Sequence, residues 1–508
     1  MKKSILFLPL LALALAGCDN TNTSTSSGDP LPAPSLVDPN QEEITHAPMD
    51  GEIIKVLHLN DTHGSIEYLP ENNEPGMARI AGYVNGRRYG ANTNVVLLSS
   101  GDMFQGSLDS NINKGRLMID IMKEMRFDAM TIGNHEFDWG VNVLSDNALY
   151  AMNEEQGDWS FPFLSGNILN PGNEYDFGYL STTFNRGPAR VSIIGSTDSG
   201  VYSSIDATIV EGYDFVGATN MVIAEAQRLR AAGSDIIIYS THDGDKTVDV
   251  AIADYVDAVF TGHNHHNSVL TMTSSSSKVV PIIESSSNGR AIGEVDFIYD
   301  AESGDYQLSN YKNSYPLDAT PLTEEVGVKA IYDAYLDAPA QDGPVSASSL
   351  RALKTEPVGE ITNDSTFASY GSISKSGVRR MFLLAQLEAY SSYDIIASSY
   401  NDARSEWSVG EITYSDIYKA FPFDNATVIV EATGAQLRNW STATEYAEGY
   451  SKYTLSNTTT YRIVTSTYII NNNETYNYTS VYHTDEDIFQ RHVLYQEFLK
   501  ATEPNPWG

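Results

Sequence analysis

Short apolar runs alternate with helical stretches from Glu52 onward. Segments 53–59, 94–98, 128–132, 235–239 and 257–260 are largely apolar, the pattern of strands buried on both faces. Between the second and third, Leu117, Met118, Ile121, Met122 and Met125 recur at helical spacing, which predicts a helix with one buried stripe. Such a stripe is core rather than a cofactor box. Alternating strands and helices of this kind predict layered α/β architecture. A helical pattern over 321–336 and the Pro- and Ser-containing stretch 338–349 then read as a connection. A second mixed region starts near Lys354, with a helix over 377–389, a strand over 394–397 and Tyr-, Thr- and Asn-rich strands within 450–480. Residues 19 to about 50 are rich in Ser, Thr, Asn, Pro and Asp and lack apolar periodicity, as a solvated tether does. The chain carries no internal repeat.

At 508 residues the chain exceeds one ordinary domain, and 41% hydrophobic and 10% aromatic residues suffice for sizeable cores. A net charge of −35 disfavours nucleic-acid duplexes and anionic lipid surfaces, which would repel it. A small phosphorylated substrate stays admissible if metal ions reverse the field locally. At the N-terminus Lys2 and Lys3 precede an apolar run over 4–14 and then Leu15-Ala16-Gly17-Cys18. This reads as a lipoprotein signal peptide over 1–18, with lipid attached at Cys18. Cys18 is the sole cysteine, so no disulfide can form within the chain. Asp19 resembles the signal that retains lipoproteins of enteric bacteria in the inner membrane. The expectation is an exported protein, anchored to a lipid bilayer and facing the periplasm or the exterior.

The chemistry sits at the ends of the expected strands. They run into Asp61-Thr62-His63-Gly64, Gly101-Asp102, Gly133-Asn134-His135-Glu136, His242 and Gly262-His263-Asn264-His265. Open α/β sheets place their sites at such carboxyl ends, where neighbouring loops converge. Carboxylate, amide oxygen and imidazole together suit Zn, Mn, Fe or Mg, and no thiolate is present to select a softer metal. His63, His135, His242, His263, His265 and His266 lie in or beside these motifs; His58, inside a strand, reads as structural. A lone Gly-Asp carries no weight, whereas the ordered set does.

That ordered set resembles the calcineurin-like metallophosphoesterases. The extended forms Leu59-Asn60-Asp61-Thr62-His63-Gly64 and Gly133-Asn134-His135-Glu136-Phe137-Asp138 narrow the resemblance to the bacterial 5′-nucleotidase/UDP-sugar hydrolase family. It continues through Gly410-Glu411-Ile412-Thr413-Tyr414, Pro422-Phe423-Asp424-Asn425 and Thr433-Gly434. The resemblance implies a four-layer α/β/β/α metallophosphoesterase domain over 51–335, a linker over 336–353 and an α+β C-terminal domain over 354–508 that contacts substrate. It implies two divalent ions (Zn, Mn, Mg, Co or Ca). One would be held by Asp61, His63, Asp102 and His265, the other by Asp102, Asn134, His242 and His263. His135 and Asp138 would be the catalytic pair. Phe423 and Tyr468 would stack on a base, with Asn425 nearby and Arg404 towards phosphate.

The second region departs from the family's pattern. A Gly-Gly-x-Arg turn is replaced by Asn401-Asp402-Ala403-Arg404, and a Gly-Gly-Asp-Gly turn by Asn472-Asn473-Glu474-Thr475. Segment 372–377 lacks the arginines some relatives use for phosphate. The implied activity is hydrolysis of nucleoside 5′-monophosphates. The alternatives are a UDP-sugar, 2′,3′-cyclic nucleotide or other phosphoester substrate, or a surface-anchored binding protein with a vestigial enzyme domain.

Overall fold

Strand Ile53–Leu59 shows how the layers arise. Ile54 and Val56 point into one core and Leu57 and Leu59 into another, so successive residues are buried on opposite faces. This computed structural model describes residues 35–37, 42–44, 46–88, 93–153, 159–170, 177–200, 204–205, 208–319, 323–340, 345, 348–362, 367, 371–400, 403–471 and 476–500. Cys18, Asp19, Asn401, Asp402 and 472–475 lie outside them, as does most of the tether.

A six-stranded sheet runs in the order Asp305–Ser314, Ile292–Asp300, Ile53–Leu59, Thr93–Ser99, Ala129–Thr131, Phe163–Leu164. Beside it lies a seven-stranded sheet ordered Ser35–Val37, Ser181–Arg186, Ala189–Thr197, Ile236–His242, Ala258–Thr261, Val279–Ser285, Asn267–Thr273. Ile54, Val96, Leu98, Ile193, Ile238, Phe260 and Ile283 fill the space between the sheets. Helices Met77–Arg88, Arg116–Glu124 and Val141–Met152 cover the outer face of the first sheet, and helix Thr219–Ala231 that of the second. The result is the expected α/β/β/α stack. The apolar stripe behaves as read: Leu117, Met118, Ile121 and Met122 are all fully buried in helix Arg116–Glu124.

Helix Val326–Leu336 packs Ile331, Tyr332 and Tyr335 on the first core and leads to the second region. There a five-stranded sheet (Ala443–Tyr446, Ile395–Tyr400, Thr460–Ser466, Ala426–Thr433, Ser480–Phe489) packs with helix Lys375–Ala389. The described residues form one compact unit. A shared apolar cluster of Leu108, Ile112, Leu336, Leu350, Leu353, Tyr414 and Tyr418 joins the two regions. Lys354 reinforces the junction, its Nζ 2.5 Å from Glu67, 2.6 Å from Asp109 and 2.8 Å from the Tyr332 hydroxyl.

The 450–480 stretch differs from the all-strand expectation. Strand Thr460–Ser466 stops where the Ser466 hydroxyl accepts the Ile469 amide at 3.3 Å, turning the chain into helix Thr467–Asn471. Tyr468 therefore sits on a short helix. Among the described residues no helix is long and apolar enough to cross a membrane.

Candidate metal centre and substrate cleft

Asp61 and His63 follow strand Ile53–Leu59, Asp102 follows Thr93–Ser99, Asn134 and His135 follow Ala129–Thr131, His242 ends its strand, and His263 and His265 follow Ala258–Thr261. These parallel strands place all seven expected ligands on one edge of the two sheets. Five of the seven have left-handed backbones: Asp61 (φ 48°), His63 (48°), Asp102 (53°), His263 (78°) and His265 (57°). Non-glycine residues rarely adopt that conformation, and such strain concentrates where function holds a backbone in place. The motif glycines have a steric reason. A Cβ on Gly133 would lie 2.3 Å from Asp102 Oδ1, and one on Gly101 2.7 Å from the Gly133 nitrogen.

Donors and acceptors do not balance here. His242 Nδ1 donates to the Ser100 carbonyl at 2.7 Å, which leaves a bare Nε2 in the neutral ring. That Nε2 lies 3.0 Å from Asn134 Oδ1 and 3.1 Å from Asp102 Oδ2, two acceptors. His263 Nδ1 joins Asn134 Oδ1 at 2.9 Å. His63 repeats the pattern. Its Nδ1 donates to the Gln105 carbonyl at 3.0 Å and its Nε2 meets His265 Nε2 at 3.0 Å, while His265 Nε2 lies 3.4 Å from Asp61 Oδ1. Asp61 Oδ1 is buried without a hydrogen-bond partner. Two knots of lone pairs, Asp61–His63–His265 and Asp102–His242–His263, each bring their ligand atoms within 4.8 Å of one another. Oxygen and imidazole donors in that arrangement fit divalent cations. With protons alone, burial opposes a charge on His242, yet Asp102 and then Asp61 push its pKa up to about 10. His63, by contrast, is pushed down to about 4, chiefly by burial. Asp102 thus draws positive charge to His242 while His63 stays neutral with a lone pair to offer, and cations satisfy both knots at once.

His135 Nδ1 lies 2.8 Å from Asp138 Oδ2. Burial disfavours its charged form, but Asp138 and Asp102 outweigh burial and push its pKa up to about 10; nearby divalent charge would pull it back down. Glu136, the last residue of that motif, has a role that sequence reasoning missed. Its carboxylate accepts the backbone amides of Asp102 (2.9 Å), Met103 (2.9 Å) and Gly133 (2.7 Å), tying two ligand-bearing loops together. Glu136→Gln turns an amide donor towards those N–H groups and should weaken metal affinity about 10–100-fold, measured by competition with a chelator.

His58 is structural, as expected. It bridges Ser285 Oγ (2.9 Å) and Ser100 Oγ (2.8 Å) and is fully buried. Burial pushes its pKa down to about 3. Unfolding frees it to titrate near its ordinary value of about 6.5, so below that pH the unfolded state binds the extra proton. Stability is therefore lost as pH falls from 6.5 towards 3, by up to about 1.4 kcal/mol per pH unit from this residue. Urea titrations of wild type and His58→Gln from pH 7 to pH 4.5 should show a shallower decline in the variant.

A cavity of about 670 Å³ opens onto this edge, with Asp102, Asn134, His135, His263 and His265 on one wall. The opposite wall carries Arg404, Phe423, Asn425 and Tyr468, so the structure brings all four expected substrate residues to the cleft. Phe423 lies against His135 with ring centroids 6.4 Å apart and planes 22° apart, and the Arg404 guanidinium sits 5.1 Å from the Phe423 centroid. Lys375 also lines the cleft, from the arginine-free segment 372–377. Among the described residues no carboxylate pairs with Lys375 or Arg404, whereas Asp138 pairs with His135 and Asp424 with Arg491.

The calcineurin-like phosphoesterase family model matches residues 54–267, and the 5′-nucleotidase C-terminal domain model matches residues 357–454. The chain therefore carries a calcineurin-like phosphoesterase domain followed by a 5′-nucleotidase C-terminal domain. It is 26% identical to Protein UshA of Yersinia enterocolitica over 433 residues, which cover 76% of this chain and 75% of that protein. It is 27% identical to the human 5′-nucleotidase, over 54% of this chain and about half (51%) of that protein. The crystal structure of a 5′-nucleotidase precursor from Thermus thermophilus shares the fold with a TM-score of 0.67 at 21% identity, over 90% of this chain and 98% of that one.

Proposed function

We propose that this protein is a metal-dependent phosphohydrolase that removes phosphate from nucleoside 5′-monophosphates. The observation that carries the reading is the unbalanced lone-pair cluster, which asks for two cations at the mouth of a cleft with an aromatic and cationic far wall. Asp61, His63, Asp102 and His265 would hold one ion, and Asp102, Asn134, His242 and His263 the other. When bound, such a pair supplies a water of lowered pKa and a clamp on phosphoryl oxygens.

The chain's own residues do the rest. Asp138 fixes the His135 ring through Nδ1, and in the charged ring Nε2 donates a hydrogen bond to a phosphoryl or leaving oxygen in the cleft. Arg404 and Lys375, which no carboxylate among the described residues pairs with, bring positive charge to the opposite wall. Phe423, Tyr468 and Asn425, which line the cleft, would meet a base, and Phe423→Ala should raise KM for AMP by a factor that reflects about 1–3 kcal/mol of stacking, with a much smaller change for p-nitrophenyl phosphate.

The test is phosphate release from AMP, UDP-glucose, 2′,3′-cyclic AMP and p-nitrophenyl phosphate by chelator-stripped protein, before and after Mn²⁺ or Zn²⁺ is restored. Metal-restored hydrolysis with preference for AMP supports the reading. Preference for another phosphoester would change the substrate assignment. No hydrolysis of any of them would favour a binding protein with a vestigial site. We propose also that Cys18 carries the lipid that anchors the exported chain; labelled palmitate should enter wild type and not Cys18→Ser, and labelling of both would contradict it.

A further inference from the structure

Beside the cleft, and outside the ligand set described above, three further side chains converge. Asp245 lies just after strand Ile236–His242, His266 just before Asn267–Thr273, and Glu284 within Val279–Ser285. His266 Nδ1 lies 3.1 Å from Asp245 Oδ1 and 4.0 Å from Glu284 Oε2. One ligand atom from each residue lies within 4.8 Å of the other two. The two carboxylates are buried, Asp245 at 1% and Glu284 at 0% side-chain exposure, whereas His266 is 44% exposed.

The remaining partners of these carboxylates are neutral. Ser268 Oγ donates to Asp245 Oδ2 at 2.5 Å, and the His266 amide to Glu284 Oε1 at 2.8 Å. The Asp245 amide (3.3 Å) and Thr261 Oγ1 (3.5 Å) reach Glu284 Oε2 only loosely. Among the described residues no lysine or arginine ion-pairs with either carboxylate. At contact distance the two buried acids thus share a single imidazole, with Lys246 acting on Asp245 only from beyond ion-pair range, a costly arrangement without a cation. The donors are also fixed in advance. A Cβ on Gly244 would fall 1.7 Å from Asn264 Nδ2, so the loop bearing Asp245 is pressed on the loop bearing His266. Asn313 Nδ2 holds the Glu284 carbonyl at 2.8 Å. Neighbouring ligand atoms on a tetrahedral ion stand about 3.4 Å apart, between the 3.1 and 4.0 Å nitrogen–oxygen distances found here.

We propose that Asp245, His266 and Glu284 bind a third divalent cation of the Zn or Mn class, separate from the hydrolytic pair and open to solvent on the His266 side. Two carboxylate oxygens and one imidazole, with no thiolate, select that class, and the open side leaves room for water. Such an ion would brace the loop over 262–266 that carries His263 and His265, a structural task distinct from hydrolysis.

The test is metal analysis of the full chain, stripped with chelator, reloaded with Zn²⁺ or Mn²⁺ and dialysed. Three ions per chain are expected in wild type and two in His266→Ala and in Glu284→Gln. Asp102→Asn should deplete the hydrolytic pair and retain the third ion, so failure of the hydrolytic reading and failure of this one leave different counts. Two ions in wild type, or a third that persists in both variants, would overturn the proposal. Should the variants not fold, an anomalous peak beside His266 Nδ1 in wild-type crystals soaked with Mn²⁺ supports it, and a blank map there overturns it.

Discussion

Asp102→Asn should lower kcat for AMP by about 10³–10⁴-fold and reduce the metal content of the cleft, because one carboxylate serves both lone-pair knots. Asp102 Oδ2 lies 3.1 Å from His242 Nε2, and the same carboxylate groups with His63 and His135 on its other side. Removing its charge weakens both ion positions, and the charge stabilisation that metal ions give a phosphoryl transition state is worth several kcal/mol, or about a thousandfold or more in rate. Phosphate release and metal content measured on one preparation check this. A variant that keeps both its ions and its rate would remove Asp102 from the centre of the site.

His135→Ala should lower kcat by about 10²–10⁴-fold, the usual contribution of a positioned acid or base, while metal content holds. The distinction matters because His135 also falls within ligand distance of His63 and Asp102. Its Nδ1 is committed to Asp138 at 2.8 Å, and in the charged ring Nε2 is free to donate as well. Loss of metal in step with loss of rate would make His135 a ligand instead. Asp138→Asn should lower kcat less than His135→Ala does, since it loosens the ring without removing it.

Those two experiments concern residues that were legible in the sequence, and there is a physical reason. The strand-end motifs are local: each ligand lies within a few residues of a buried apolar run, so order and spacing along the chain map directly onto one sheet edge. Strand boundaries were close too, because burial on both faces writes a continuous apolar run, as in Ile53–Leu59. Long-range chemistry was harder to read. Glu136 is visible as a motif letter, but its task of accepting three backbone amides depends on groups that carry no residue identity. Asp245 and Glu284 meet His266 across separate strands, with nothing in their own neighbourhoods to announce it. Lys375 reaches the cleft from a segment read only for what it lacked. The helix around Tyr468 was missed because a single Ser466 hydroxyl, rather than an apolar period, turns the chain.

The central claim is that the side chains at the ends of the site strands enclose a pair of divalent cations. Anomalous diffraction from crystals grown with Mn²⁺ tests it most directly. The expected map has one peak among Asp61, His63 and His265 and a second among Asn134, His242 and His263, with Asp102 reaching both. A map without density at either place, from crystals in which those side chains are well ordered, would contradict it.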